Sequence, residues 1–204
     1  MYVGVMVRLP ARAAERLSVG VVVGSLRSTS VTRLIADNLV AAAPDIVDAR
    51  FLDISDLPLY NEDLDIEVSG EAPAPWTRFR ADVRATDAVL FVTPEYNRSV
   101  PAPLKNAIDV GSAPHDQNVF AGRPAAVVSA SPGRMGAFGA NHHLRQSLVF
   151  LDMPTMQQPE LYIGGSYELF DGDGRLIDTG MSHRFAQYME RFVAWTQRHP
   201  RVLA

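Results

Sequence analysis

Between Phe91 and Asp109 the chain reads FVTPEYNRSVPAPLKNAID, and Pro94, Glu95, Tyr96 and Asn97 stand directly behind an apolar run. An acid, a phenol and an amide at the end of a strand put donors, acceptors and a ring face in one place. That set suits a flat heterocycle held by backbone groups and ring packing. Two of the four have a bland account, since Pro94 ends the strand and Asn97 can form a turn or cap the next element. Glu95 alone would be read as a solvated acid at a loop tip.

A second stretch, GSLRSTS from Gly24 to Ser30, supplies four hydroxyls (Ser25, Ser28, Thr29, Ser30) and Arg27 ahead of a helix start. Free N–H groups and the positive end of the helix dipole attract an anion there. Arg27 adds charge-assisted hydrogen bonds of the kind phosphate takes. A cap explains one hydroxyl and leaves three, with the arginine, unexplained. No G-x-x-x-x-G-K-[ST] is present, and no G-x-G-x-x-G comes after the strand, which disfavours a nucleoside triphosphatase and a Rossmann dinucleotide site. A hydroxyl-rich loop suits a terminal phosphomonoester.

The third stretch is SASPGRMGAFGANHHLR, in which Gly133, Gly136 and Gly139 let backbone lie against a planar ring. Its SASPG also resembles the hydrolase nucleophile elbow G-x-S-x-G, with Ser129 where that motif has glycine, and a triad would have to draw on Asp178 and His183. The match is imperfect and the reading disfavoured. His142 and His143 are adjacent, so on a helix they diverge and cannot chelate as an i, i+4 pair would. His115, His183 and His199 sit in no metal-ligand spacing.

Elements must bring these stretches together. SVGVVVG (18–24) is a valine-rich run expected of a strand buried on both faces. Helical spacing runs from about Ser30 to Ala43, then come a strand at 48–54, a long polar surface loop at 55–75, a helix at 76–85 and a strand at 87–93. Pro101 to Val110 reads as a helix with proline in its first turn. A strand at 123–131, a helix at 139–151, a weak strand around Pro159 and an amphipathic helix at 181–198 complete the order. Strands and helices alternate five times, the pattern of a doubly wound α/β sheet whose ligands bind beyond the strands' carboxyl ends.

The bulk numbers agree. With 204 residues, 47% hydrophobic, the chain fits one domain with a full core; residues 1–17 read as an extension and 18–204 as the domain. A net charge of −4 disfavours general nucleic-acid binding. No cysteine is present, which excludes disulfides, thiol nucleophiles and cysteine-ligated clusters and is compatible with a cytoplasmic enzyme. Neither an apolar run long enough to span a membrane nor the charge order of a signal peptide is found.

Taken in order, GSLRSTSVTRLIADNL, PEYNRSVPAPLKNAID and SPGRMGAFGANHHLRQSL resemble the NADPH-dependent FMN reductase family, over roughly Val19 to Trp195. That family includes chromate and quinone reductases and some azoreductases. The resemblance implies a flavodoxin-like fold, a five-stranded parallel sheet in the order 2-1-3-4-5. It places Ser25, Arg27 and Ser30 at the FMN phosphate, with Thr32 beside them where many members have asparagine. Pro94, Glu95, Tyr96, Asn97 and Ser99 would line the ribityl chain and isoalloxazine, and Ser131 and Gly133 the other side of the ring. NADPH or NADH would be the co-substrate, and a quinone, nitro compound, azo compound, free flavin or metal oxyanion the acceptor, by ping-pong kinetics. A homodimer or homotetramer is implied as well. Two further departures stand out: Arg98 replaces a usual glycine and Ala137 the second of a usual glycine pair. Arg98 is expected to help receive the nucleotide phosphate or an anionic acceptor. No side-chain acid or base is required, and Tyr96 is the expected substrate contact. A flavodoxin-type electron carrier and a flavin-free binding module are the alternatives; a carrier usually has a far more acidic surface.

Overall fold

The computed structural model describes residues 16–201. Of the expected extension, residues 1–15 lie outside that range, and Leu17 already belongs to the first strand. Five strands, β1 (Leu17–Val23), β2 (Val47–Phe51), β3 (Ala88–Thr93), β4 (Ala125–Ala130) and β5 (Leu161–Ile163), pair in parallel in the order β2-β1-β3-β4-β5. The order expected from the sequence is therefore the one observed.

Side-chain alternation along the strands decides which helix packs where. Val19, Val21 and Val23 of β1, with Leu90 and Val92 of β3, face one side, where they meet α1 (Val31–Ala41) and α6 (Thr179–Arg198). Val22, Val89, Phe91 and Val127 face the other, against α3 (Ala74–Arg84), α4 (Ala102–Ser112) and α5 (Phe138–Phe150). Period-2 alternation inside an unbroken apolar run thus feeds two cores at once. Fully burying a large apolar side chain such as Phe91 or Phe185 contributes about 1.5–3 kcal/mol.

Register aligns the strand ends. Val23 lies opposite Val92, Thr93 opposite Ser129, and Ala130 opposite Ile163. The segments that leave β1, β3, β4 and β5 consequently rise from one line, and helices start just behind three of them.

The largest difference from expectation is the stretch 55–75. It carries a 3₁₀ turn at Glu62–Leu64 and a short α2 (Ile66–Ser69), and it is fastened to the core. Asn106 on α4 accepts the Tyr60 N–H at 2.8 Å and donates to the Pro58 carbonyl at 3.0 Å, and Trp76 Nε1 donates to the same carbonyl. Asp65 and Arg80 form a buried bidentate ion pair at 2.8 and 2.6 Å. β2 also ends at Phe51 rather than Ile54, and β5 begins after Pro159, which removes the proline from its ladder.

Candidate functional site

At the end of β1, Ser25 Oγ accepts the Arg27 N–H at 3.4 Å, and Leu26, Arg27, Ser28 and Thr29 are exposed. Ser30 is the N-cap of α1: its hydroxyl accepts the Arg33 N–H and lies 2.8 Å from the Thr32 hydroxyl. Both side chains are buried, so Ser30 and Thr32 shape the helix start, while Ser25, Arg27, Ser28 and Thr29 present groups to solvent. The N–H groups of Val31 and Thr32 have no intrahelical carbonyl, as at any helix start. An anion placed there meets those donors and the helix dipole.

Arg27 does not wave freely. Its Nη1 donates to the Tyr167 hydroxyl and its Nη2 to Thr29 Oγ1, each at 3.3 Å. The Tyr167 hydrogen bond, with a lesser contribution from Tyr96, holds the guanidinium above its ordinary pKa. Tyr167 lies just after β5 and was not among the residues singled out in the sequence. The signal was present: GGSY comes directly after the fifth strand, on the same rim as the other three loops.

Behind β3, residues 96–99 close on themselves, with Tyr96 N–H to the Ser99 carbonyl at 3.1 Å and the reverse bond at 3.0 Å. Asn97 (φ 50°) and Arg98 (φ 65°) are both left-handed, the geometry of the tight turn that Asn-Gly serves best. This explains the glycine usual at position 98 and makes arginine a strained choice. Arg98→Gly is expected to raise stability by about 0.5–1 kcal/mol, the left-handed penalty less the added unfolded-chain entropy, as read by urea unfolding. A loss of stability would show that the guanidinium contributes more than its backbone costs.

Glu95 is the surprise. Its Oε2 accepts the N–H of Ala140, in the first turn of α5, at 3.0 Å, and its side chain is only 13% exposed. The acid expected to face a ligand or solvent instead ties the loop after β3 to the helix after β4. Pro94 is partly buried, Tyr96 is 46% exposed, and Ser99 Oγ shares a 3.0 Å hydrogen bond with His143 Nδ1.

The loop after β4 is pinned from below. Ser129 Oγ donates to the Gly136 carbonyl, Asn141 donates to Ser129 Oγ, and Ser131 Oγ donates to the Gly133 carbonyl and accepts the Ala137 N–H. Gly136 (φ 57°) and Ala137 (φ 60°) are consecutive left-handed residues. A Cβ on Gly136 would stand 2.6 Å from the Ile163 nitrogen, so only glycine fits against β5 there. Gly133 stays exposed at the rim. The hydrolase reading finds no support: Asp178 caps α6 through the Met181 N–H, and no hydrogen bond joins it, His183 and a serine among the described residues. No group of three or more histidines, cysteines or acids that could hold a metal occurs among them either.

The resulting rim has an anion-ready helix start at one end and, at the other, two glycine-containing or tightly turned loops strutted by Glu95. Residues 17–168 match the NADPH-dependent FMN reductase family. The chain belongs to that family. A quinone reductase of Pseudomonas putida is 55% identical over 181 residues, covering 88% of this chain and 95% of that protein. The NAD(P)H-dependent FMN reductase of Pseudomonas aeruginosa is 43% identical, covering 86% and 92%. Among solved structures, FerB, the NAD(P)H:(acceptor) oxidoreductase of Paracoccus denitrificans, superposes with a TM-score of 0.83 at 37% identity, over 90% of this chain and 99% of FerB. For an FMN reductase the features of the rim fit the cofactor: the α1 start with Arg27 matches a phosphomonoester, and the small residues after β4 leave backbone accessible to a ring.

Proposed function

We propose that the protein is an FMN-dependent NAD(P)H oxidoreductase that passes electrons to quinones and related small acceptors. Supporting this reading above all is the convergence of the Gly24–Ser30, Pro94–Ser99 and Ser131–Gly139 segments on one rim, with family membership over the same residues. Ser25 and Arg27 would hold the phosphate at the α1 start that Ser30 caps and Thr32 buttresses. Pro94, Glu95, Tyr96, Asn97 and Ser99 would form one wall for the ribityl chain and ring, Glu95 through the strut it makes and the others through backbone and side chain. Ser131 and Gly133 would form the opposite wall.

When bound, FMN supplies the redox chemistry, taking a hydride from the nicotinamide and delivering two electrons to the acceptor. The chain's part is to hold and orient. Tyr96, with the exposed Leu26 and Met135 on the loops after β1 and β4, offers apolar surface to a flat second substrate. A single open face serving two substrates in turn predicts ping-pong kinetics. Arg98, whose side chain is 78% exposed and 3.9 Å from Glu95, would meet the phosphate of a nicotinamide nucleotide or an anionic acceptor.

A homodimer or homotetramer belongs to the proposal. Phe150 (85% exposed) lines a groove of about 570 Å³ between α4 and α5, with Val100, Ile108 and Leu151 in its walls, and Val149 (74%) is exposed on the same helix. That face suits a second copy, and sedimentation velocity at micromolar concentration should give at least twice the 22.3 kDa chain mass. No helix among the described residues is long and apolar enough to cross a membrane. The proposal keeps a cytoplasmic setting and a single flavin-binding domain across residues 18–204.

The test is direct. The purified protein, incubated with FMN and desalted, should remain yellow, and stopped-flow mixing with NADPH or NADH should bleach it before any acceptor is added. A colourless protein after soaking would end the flavin reading, and colour without bleaching would leave an electron carrier.

A further inference from the structure

The segment leaving β5 reaches the same rim as the other three and has been given no role. Gly164 passes so close to the loop after β4 that a Cβ on it would stand 2.7 Å from the Arg134 carbonyl oxygen. The Ser166 N–H donates to the Ser131 carbonyl at 3.2 Å, and the Ser131 N–H to the Ile163 carbonyl at 3.0 Å. These backbone bonds fix the 3₁₀ turn Ser166–Leu169, and with it the half-exposed side chain of Tyr167. From that fixed base Tyr167 accepts the Arg27 hydrogen bond across 140 residues of sequence, and Thr29 holds the second guanidinium nitrogen.

A guanidinium has five N–H donors in a planar fork. Two are engaged by Tyr167 and Thr29, which leaves three for an anion at the start of α1. A long exposed arginine ordinarily loses rotamer freedom when it grips a ligand, and one held beforehand loses less.

We infer that Tyr167 is a positioning residue for the flavin phosphate, acting through Arg27. The inference rests on the FMN reading above and adds to it a fourth loop. Its chemistry separates two closely related ligands: FMN carries the phosphate, riboflavin does not, and the rings are identical. Tyr167→Phe removes only the hydroxyl and leaves the ring in place.

Dissociation constants for both flavins, read by quenching of flavin fluorescence, test it. In Tyr167→Phe the constant for FMN should rise about fivefold, while that for riboflavin stays within twofold of the parent. In an Arg27→Met background, where no guanidinium remains to be held, Tyr167→Phe should have no further effect on FMN. Equal weakening of both flavins would make Tyr167 a ring contact and overturn the inference. An unchanged or tighter FMN constant would overturn it too, the latter by showing that Tyr167 competes with phosphate for Arg27. Failure of the parent protein to bind either flavin would instead defeat the cofactor reading itself, so the two failures are distinguishable.

Discussion

Asp65→Ala is expected to lower the unfolding free energy by about 3–5 kcal/mol, the range for removing one member of a buried ion pair. The pair is almost wholly out of water, with the Arg80 side chain 5% and the Asp65 side chain 3% exposed. Arg80 Nη1 and Nη2 each donate to one Asp65 oxygen, while Nε donates to the Val110 carbonyl of α4 at 2.8 Å. Asp65 further accepts the Ile66 N–H, starting α2. Removing the carboxylate strands a buried cation and releases the 55–75 stretch from the core. Removing both charges is another matter: Asp65→Ala with Arg80→Met should recover most of the loss, because no ion then remains unpaired. Acid adds a second reading. Arg80's hydrogen bonds hold the Asp65 carboxyl below its ordinary pKa of 3.8, so the folded value lies beneath the unfolded one. Such a group stabilises fully above the unfolded pKa and loses that contribution as pH falls through the folded one. The gap between parent and Asp65→Ala in urea unfolding should accordingly be widest at neutral pH and shrink below about pH 4. A cost under 1 kcal/mol at pH 7, or one that does not shrink in acid, would show that the pair is dispensable.

That ion pair also marks where local sequence pattern stops encoding structure. The strands of the sheet were legible because SVGVVVG, DAVLFVT and RPAAVVSAS are short apolar runs between turn residues, and a strand buried on both faces needs nothing else. The 55–75 stretch looked like a surface loop because its fastenings are remote. Tyr60 finds Asn106 46 residues away, and Trp76 reaches back to Pro58. No local pattern encodes a partner at that distance. In the rim, the loops themselves were readable from their residue types, whereas the direction of each side chain was not. Ser30 and Thr32 turn inward to the helix cap, Glu95 turns to a helix that starts more than forty residues later, and Arg27 turns to Tyr167, 140 residues away in a segment whose place on the rim was readable but whose ring direction was not. The glycine usual at position 98 became intelligible only once φ was known, since a left-handed turn, rather than contact with a ligand, is what that glycine suits.

Glu95→Ala should weaken FMN binding by about 10–100-fold, and Glu95→Gln by far less. Ala137, the N-cap of α5, supplies no side-chain cap. The Glu95 carboxylate fills that role from another loop, accepting the Ala140 N–H near the positive end of the helix. Gly139 permits the approach: a Cβ there would lie 2.7 Å from the Arg98 carbonyl oxygen and 2.9 Å from Glu95 Oε2. The loop after β3 and the helix after β4 are thus pressed together at a point where any side chain would part them. Alanine at position 95 leaves a buried N–H unpaired, at a cost of about 1–3 kcal/mol, a range that spans roughly 5-fold to 150-fold in an equilibrium constant, with tenfold to a hundredfold at its centre. If the two segments bracket the flavin ring, that loss falls on the spacing the ring needs and so on its affinity. Glutamine keeps an acceptor oxygen and forfeits only the charge, worth about 0.3–1 kcal/mol at a helix start. FMN and riboflavin should suffer alike in Glu95→Ala, because the strut acts on the ring and not on the phosphate. An FMN dissociation constant within twofold of the parent would mean that the cleft keeps its width without the strut, and that Glu95 is a helix cap and nothing more.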